Sequence, residues 1–193
     1  MSAFAIQKKS YSDAWERVGL MAVCLVALTL GNCLFHTGWI TVDASSFNLF
    51  LETFSLDDSP SFSSFLWSVI LHSRKDIFCV LLISCARFVK FPRTFISLLF
   101  FVRSTLLGFC GAFFIGGVGK DISLWSGFLA WMLFFGYHTL FFAVMICFGT
   151  HTLSLCREPF SWRKDAGYWL TVCGEISLVI LSNMVYCFLI SKF

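Results

Sequence analysis

Apolar residues in this chain run together in five long stretches, and the polar positions collect between them. The first stretch, Val18 to Val42, holds no Lys, Arg, Asp or Glu. At roughly 1.5 Å of rise per residue, a helix of that length crosses a ~30 Å hydrocarbon layer with some tilt. It is longer than the apolar region of a cleavable signal and ends on an interfacial aromatic, Gly38-Trp39-Ile40, so it is expected to stay in the mature protein. The second stretch, Ile77 to Phe91, is short and carries Arg87 and Lys90 near its end, where their side chains snorkel to the headgroups. Pro92 breaks the pattern and opens the third, about Thr94 to Val118. The fourth runs from Leu124 to Thr150. The fifth runs from Tyr168 to Ser191 and opens on an interfacial Tyr168-Trp169 pair.

Continuous runs, rather than period-2 alternation, predict spanning helices and not a membrane β-barrel. The expected fold is all-α: a polytopic membrane bundle of five transmembrane helices forming one integral membrane domain over residues 1–193, with a cytoplasmic leader at 1–17. Composition strengthens this reading. Apolar residues make up 58% of the 193 positions and charged ones 13%, with 25 Phe and 7 Trp, and the mean hydropathy is +0.82. Those values exclude an ordinary soluble domain.

Basic residues set the orientation, because Lys and Arg are retained on the cytoplasmic side. With five crossings and the N-terminus inside, nine lie inside (Lys8, Lys9, Arg17, Arg87, Lys90, Arg93, Arg157, Arg163 and Lys164) and four outside (Arg74, Lys75, Lys120 and Lys192). The predicted location is the cell membrane, N-terminus cytoplasmic and C-terminus extracytoplasmic. The stretch Ile77 to Phe91 leaves two options open: a full crossing puts Arg93 inside, and a shallow hairpin with the third span puts it outside. The net charge of +3 follows from the cytoplasmic bias, so no nucleic-acid partner is expected.

Residues 43–76 form the outer segment, and their spacing is helical. Phe47, Phe50, Leu51 and Phe54 recur at i, i+3, i+4 and i+7, as do Phe62, Phe65, Leu66, Val69 and Ile70. Both read as short amphipathic helices in the first extracytoplasmic loop, the second starting at Ser59-Pro60. Such helices either lie on the membrane or cap the bundle. Phe47, Phe50, Phe54, Phe62, Phe65 and Leu66 are the candidate partner-docking surface.

Within the spans, two charges stand out. Arg103 lies nine residues past Thr94 and Glu175 seven past Tyr168, roughly 13 Å and 10 Å along their helices. Opposite charges at matched depth are expected to pair, either as a lock between helices or as part of a transport or proton pathway. His138 and Asn183 are possible members of the same polar cluster. Gly108, Ala112 and Gly116 recur every four residues and predict a close helix–helix contact inside the bundle. Nine Cys are present without CxxC spacing, so neither a disulfide framework nor a metal site is expected. Cys147, His151 and Cys156 are too few convergent ligands. No phosphate loop, HExxH, GxSxG or paired-carboxylate motif occurs, and no catalytic residue or cofactor is assigned.

The basic leader, the first span, the aromatic outer segment, the second span and the run Phe100-Phe101-Val102-Arg103-Ser104-Thr105-Leu106-Leu107-Gly108-Phe109 together resemble the stage II sporulation protein M family. The resemblance implies a non-enzymatic membrane scaffold that anchors peptidoglycan-degrading enzymes during engulfment. Its outer segment would meet the cell-wall hydrolases, and Arg103 and Glu175 would hold the bundle in shape. A permease-like subunit using Arg103, His138 and Glu175 is the alternative expectation.

Overall fold

The computed structural model describes residues 3–37, 62–118, 124–157 and 162–190. They form five helices: α1 (Ala3–His36), α2 (Phe62–Cys85), α3 (Pro92–Val118), α4 (Leu124–Cys156) and α5 (Trp162–Ile190), with a 3₁₀ turn at Ala86–Phe88 after α2. Four contain stretches long and apolar enough to cross a membrane: Asp13–His36, Pro92–Ala112, Met132–Cys156 and Ala166–Leu189. The chain is therefore a multi-pass membrane protein. Its surface agrees, since Leu25, Leu170, Leu181 and Phe188 are all more than half exposed, as suits side chains whose solvent is lipid.

Pro92 marks the start of α3, as expected. It takes the first helical position, where its missing N–H would be unbonded in any case. Phe95 N donates to Phe91 O at 3.1 Å to close the first turn. The leader does not precede a helix starting at Val18; α1 already begins at Ala3.

The larger difference is α2. The amphipathic stretch from Phe62 and the span expected from Ile77 are one uninterrupted 24-residue helix. Nothing between them breaks it, because Leu71 to Asp76 contains neither Gly nor Pro. The charged triplet divides by face instead: Arg74 and Lys75 are exposed, whereas Asp76 continues the buried row of Val69, Ser73, Val80 and Ile83. The helix stops at Cys85, short of the expected Phe91, and Val89 is extended at φ −96° and ψ 142°. Phe65 is half-buried and Leu66 exposed near the start of α2. Phe47, Phe50 and Phe54 lie outside the described residues.

Cross-helix contacts fix the directions. Leu20 meets Gly149 beside Ile96 and Phe100, and Phe35 packs on Phe109, so α1 and α3 run parallel. Gly111 faces Phe135 while Gly149 faces Ile96 and Phe100, so α3 and α4 are antiparallel. Asp76 lies against Asn183 and Ser84 against Tyr168, which makes α2 and α5 antiparallel. Direction alternates from each helix to the next. The core between them holds Val80, Ile83, Ile96, Phe100, Phe141, Met145, Val172 and Val179.

The most intimate contact is between α1 and α3. A Cβ on Gly31 would overlap the Thr105 carbonyl, and one on Gly108 would overlap the Leu28 carbonyl. Missing side chains at both positions let the two backbones touch, which is how helices gain dispersion contact in lipid. Gly108 and Ala112 of the predicted stripe are both buried, and Gly116 follows on the same helix. The partner row on α1 is Leu20, Cys24, Ala27 and Gly31, buried at helical spacing and narrowing to small residues from Cys24 onward.

Candidate functional site

Asp76 is completely buried, and four helices converge on its carboxylate. Arg103 of α3 donates from Nη2 to Oδ1 in a salt bridge. Tyr137 of α4 donates its hydroxyl to Oδ2 at 2.7 Å. Asn183 of α5, 1% exposed, reaches Oδ2 with Nδ2 at 3.4 Å and bonds the Val179 carbonyl of its own helix at 3.0 Å. The Arg103 guanidinium also rests over the Phe141 ring, 5.3 Å from its centroid, and Tyr137 packs on Tyr186 with centroids 4.9 Å apart.

This arrangement answers a specific cost. Moving an ion out of water costs several kcal/mol even after relaxation, and a paired charge is tolerated inside only where further hydrogen bonds satisfy its remaining lone pairs. Asp76 has both: a cation on one oxygen and two donors on the other. Arg103 lies next to Val102, the midpoint of the 92–112 span, so the junction sits deep in the apolar layer. An apolar groove of about 510 Å³ between α4 and α5 reaches Tyr137 and Tyr186, and a cavity of about 20 Å³ borders Arg103, lined otherwise by apolar side chains such as Ile83, Phe100 and Met145. That is room for about one water.

The expected partner of Arg103 was Glu175, and the structure corrects this: Arg103 pairs with Asp76. Glu175 lies two turns before Asn183 on α5 and is half-buried. Its Oε2 has no hydrogen-bond partner among the described residues. Matched distance along two helices fixes depth only; it does not say which faces meet. Asn183 does join the cluster. His138 does not, although it follows Tyr137: adjacent helical residues point about 100° apart, and His138 turns toward α1.

Asp76 and Tyr137 are the two members that sequence reasoning missed. The outer segment expected from the sequence ends at Asp76, one residue before the span expected from Ile77. The available signal was periodicity, since the spacing of Phe62, Phe65 and Val69 continues through Ser73 and Asp76 to Val80 and Ile83.

Two smaller polar contacts tie the opposite end of the bundle. Arg157, at the end of α4, pairs with the buried Glu16 of α1. The hydroxyls of Tyr168 and Thr152 share a hydrogen bond at 3.1 Å, and Tyr168 Oη lies 3.5 Å from the Ser84 carbonyl, linking α5, α4 and α2. Among the described residues, no group of three or more His, Cys, Asp or Glu side chains converges as a metal site would require.

Fold and site together define a multi-pass membrane helix bundle with a buried ionic junction. No protein-family model, curated protein or solved structure matches the chain.

Proposed function

We propose that this protein is a non-enzymatic integral membrane scaffold, a five-crossing bundle whose interior is locked and whose working surface faces outward. The observation that carries the reading is the closure of the Asp76 junction. Its carboxylate is fully buried, both oxygens are bonded, the cavity beside Arg103 admits about one water, and the wider groove that reaches Tyr137 from the α4–α5 side is lined almost wholly by apolar side chains. A polar solute moving through this level would need a wider, hydrated path. A charge network held this tightly instead fixes the register of α2, α3, α4 and α5.

Alternation of helix direction supports five crossings, with α2 as the fifth despite its charges. Arg74 and Lys75 can extend along the apolar surface toward the headgroups, and Asp76 is neutralised inside. The basic-residue bias supports a cytoplasmic N-terminus and an extracytoplasmic C-terminus. On the resemblance to the stage II sporulation protein M family, the partners are peptidoglycan-degrading enzymes, and they dock on the outward segment that leads into α2 near Phe65 and Leu66. Co-purification of the complete chain with peptidoglycan hydrolases from its native membrane tests this. A complex that is lost when Phe65 and Leu66 are both changed to Ser is expected. An undiminished complex in that variant counts against the surface, and recovery of no hydrolase counts against the partner class.

Glu175 favours a second reading, a permease-like subunit, because a carboxylate in a spanning helix with an unbonded oxygen is available for a proton or a cationic group. In proteoliposomes, that reading requires proton-coupled uptake or release that Glu175→Gln abolishes. The scaffold reading predicts no flux with either protein.

A further inference from the structure

α2 carries two seams. On the inner side, Val69, Ser73, Asp76, Val80 and Ile83 are buried, and Asp76 has Arg103 as its cation. On the outer side, Trp67, Leu71, Arg74, Phe78 and Leu81 recur at alternating spacings of four and three residues, and all five are exposed. That 3.5-residue repeat is the pattern of a helix that packs lengthwise on another helix. Arg74 precedes Asp76 by two residues, about 200° around the helix, so it points away from the bundle.

Arg74 stands at the centre of the outer seam without a counter-ion. It is the thirteenth of the 24 residues of α2, with roughly 17–18 Å of helix on either side. Among the described residues it makes no hydrogen bond or ion pair. Stretching toward the headgroups takes its guanidinium only part of that way, because the side chain is shorter than half the helix. An arginine also stays charged, so it cannot lower the cost of its position by changing protonation. The demand that Arg103 meets for Asp76 is therefore still open for Arg74.

We propose that the outer seam of α2 docks a spanning helix of another membrane protein, one that carries a carboxylate at matched depth for Arg74. The inference rests on the five-crossing reading, in which α2 spans the bilayer. Charge decides the occupant. A second copy meeting this face through a two-fold axis would set Arg74 against Arg74, and like charges at this depth repel. Glu175 of another copy does not serve, because its Oε2 is buried within its own bundle. A lipid phosphate lies at the headgroup level, outside the ~30 Å apolar layer. An Asp or Glu on a partner helix supplies the anion at the right level and suits the guanidinium fork, while Trp67, Leu71, Phe78 and Leu81 pack along that helix.

The test uses the complete protein, fluorescently labelled, in phosphatidylcholine vesicles with roughly 20-residue leucine-based spanning peptides that carry one Glu, Gln or Lys at the centre. Energy transfer is expected to saturate at an at least about tenfold lower mole fraction of the Glu peptide than of the Gln peptide, the worth of one hydrogen bond to a charged group. Arg74→Gln is expected to abolish that preference. Arg74→Glu is expected to move it to the Lys peptide, a gain that a misfolded variant cannot mimic. Equal binding of the Glu and Gln peptides by the unmodified protein overturns the proposal, and that comparison needs no variant. So does a Glu preference that survives Arg74→Gln. Energy transfer between copies of the protein without peptide, lost in Arg74→Gln, assigns the face to a second copy and also overturns it. Crossing by α2 is read separately, from labelling of a Cys placed at Arg93: labelling from the cytoplasmic side without a Glu preference strikes the partner alone, and labelling from the outer side strikes the crossing and the partner together.

Discussion

Arg103 of α3 and Asp76 of α2 are joined by an ion pair inside the apolar bundle, 27 residues apart in the chain. The pair links one of the four plainly apolar spans to the helix that carries Arg74, Lys75 and Asp76 in its middle. It thereby makes α2 part of the bundle. Removing one partner is expected to destabilise strongly, by about 3–5 kcal/mol, because it leaves a bare charge. Asp76→Leu combined with Arg103→Met removes both charges and is expected to recover most of that loss. Equilibrium unfolding in bicelles measures both effects.

Tyr137 and Asn183 contribute less, since each donates to an oxygen of a carboxylate that keeps its cation. Tyr137→Phe is expected to cost about 1.5–3 kcal/mol, the range for a hydrogen bond to a charged group. Asn183→Leu is expected to cost less, because the Asn183–Asp76 contact is long at 3.4 Å. The same unfolding assay ranks the two.

Glycines separate sharply by position. Gly31→Ala and Gly108→Ala each push a methyl into the facing backbone and are expected to cost about 1–3 kcal/mol by forcing α1 from α3. Gly167→Ala and Gly174→Ala meet nothing within 4 Å and are expected to be neutral, or stabilising by up to about 1 kcal/mol. Comparable losses at all four positions would contradict the packing described.

Topology has its own test. A single Cys placed at Arg93, in a background without the nine native Cys, is expected to react with an impermeant reagent from the cytoplasmic side only. Labelling from the outer side would mean that α2 turns back before crossing.

Much of the bundle was legible in the sequence because spanning helices must be apolar throughout, which leaves α3, α4 and α5 visible as runs between Pro92 and the C-terminal region. The close approach at Gly108 was equally visible, since close packing in lipid demands small residues at a four-residue spacing. Three charges in a row hid the continuity of α2, because hydropathy averages over a window and takes no account of which face a charge occupies. The partner of Arg103 was hidden for a related reason. Depth follows from counting residues, but the choice between Asp76 and Glu175 depends on helix rotation, which is set by packing against neighbours.

The most direct test of the central claim is a pair of double-mutant cycles on the complete protein, one for Arg103→Ala with Asp76→Ala and one for Arg103→Ala with Glu175→Ala. A buried junction between α2 and α3 predicts a coupling of about 2–3 kcal/mol between Arg103 and Asp76, and additivity within about 0.5 kcal/mol between Arg103 and Glu175. Additivity of Arg103 with Asp76, or stronger coupling of Arg103 to Glu175, would contradict it.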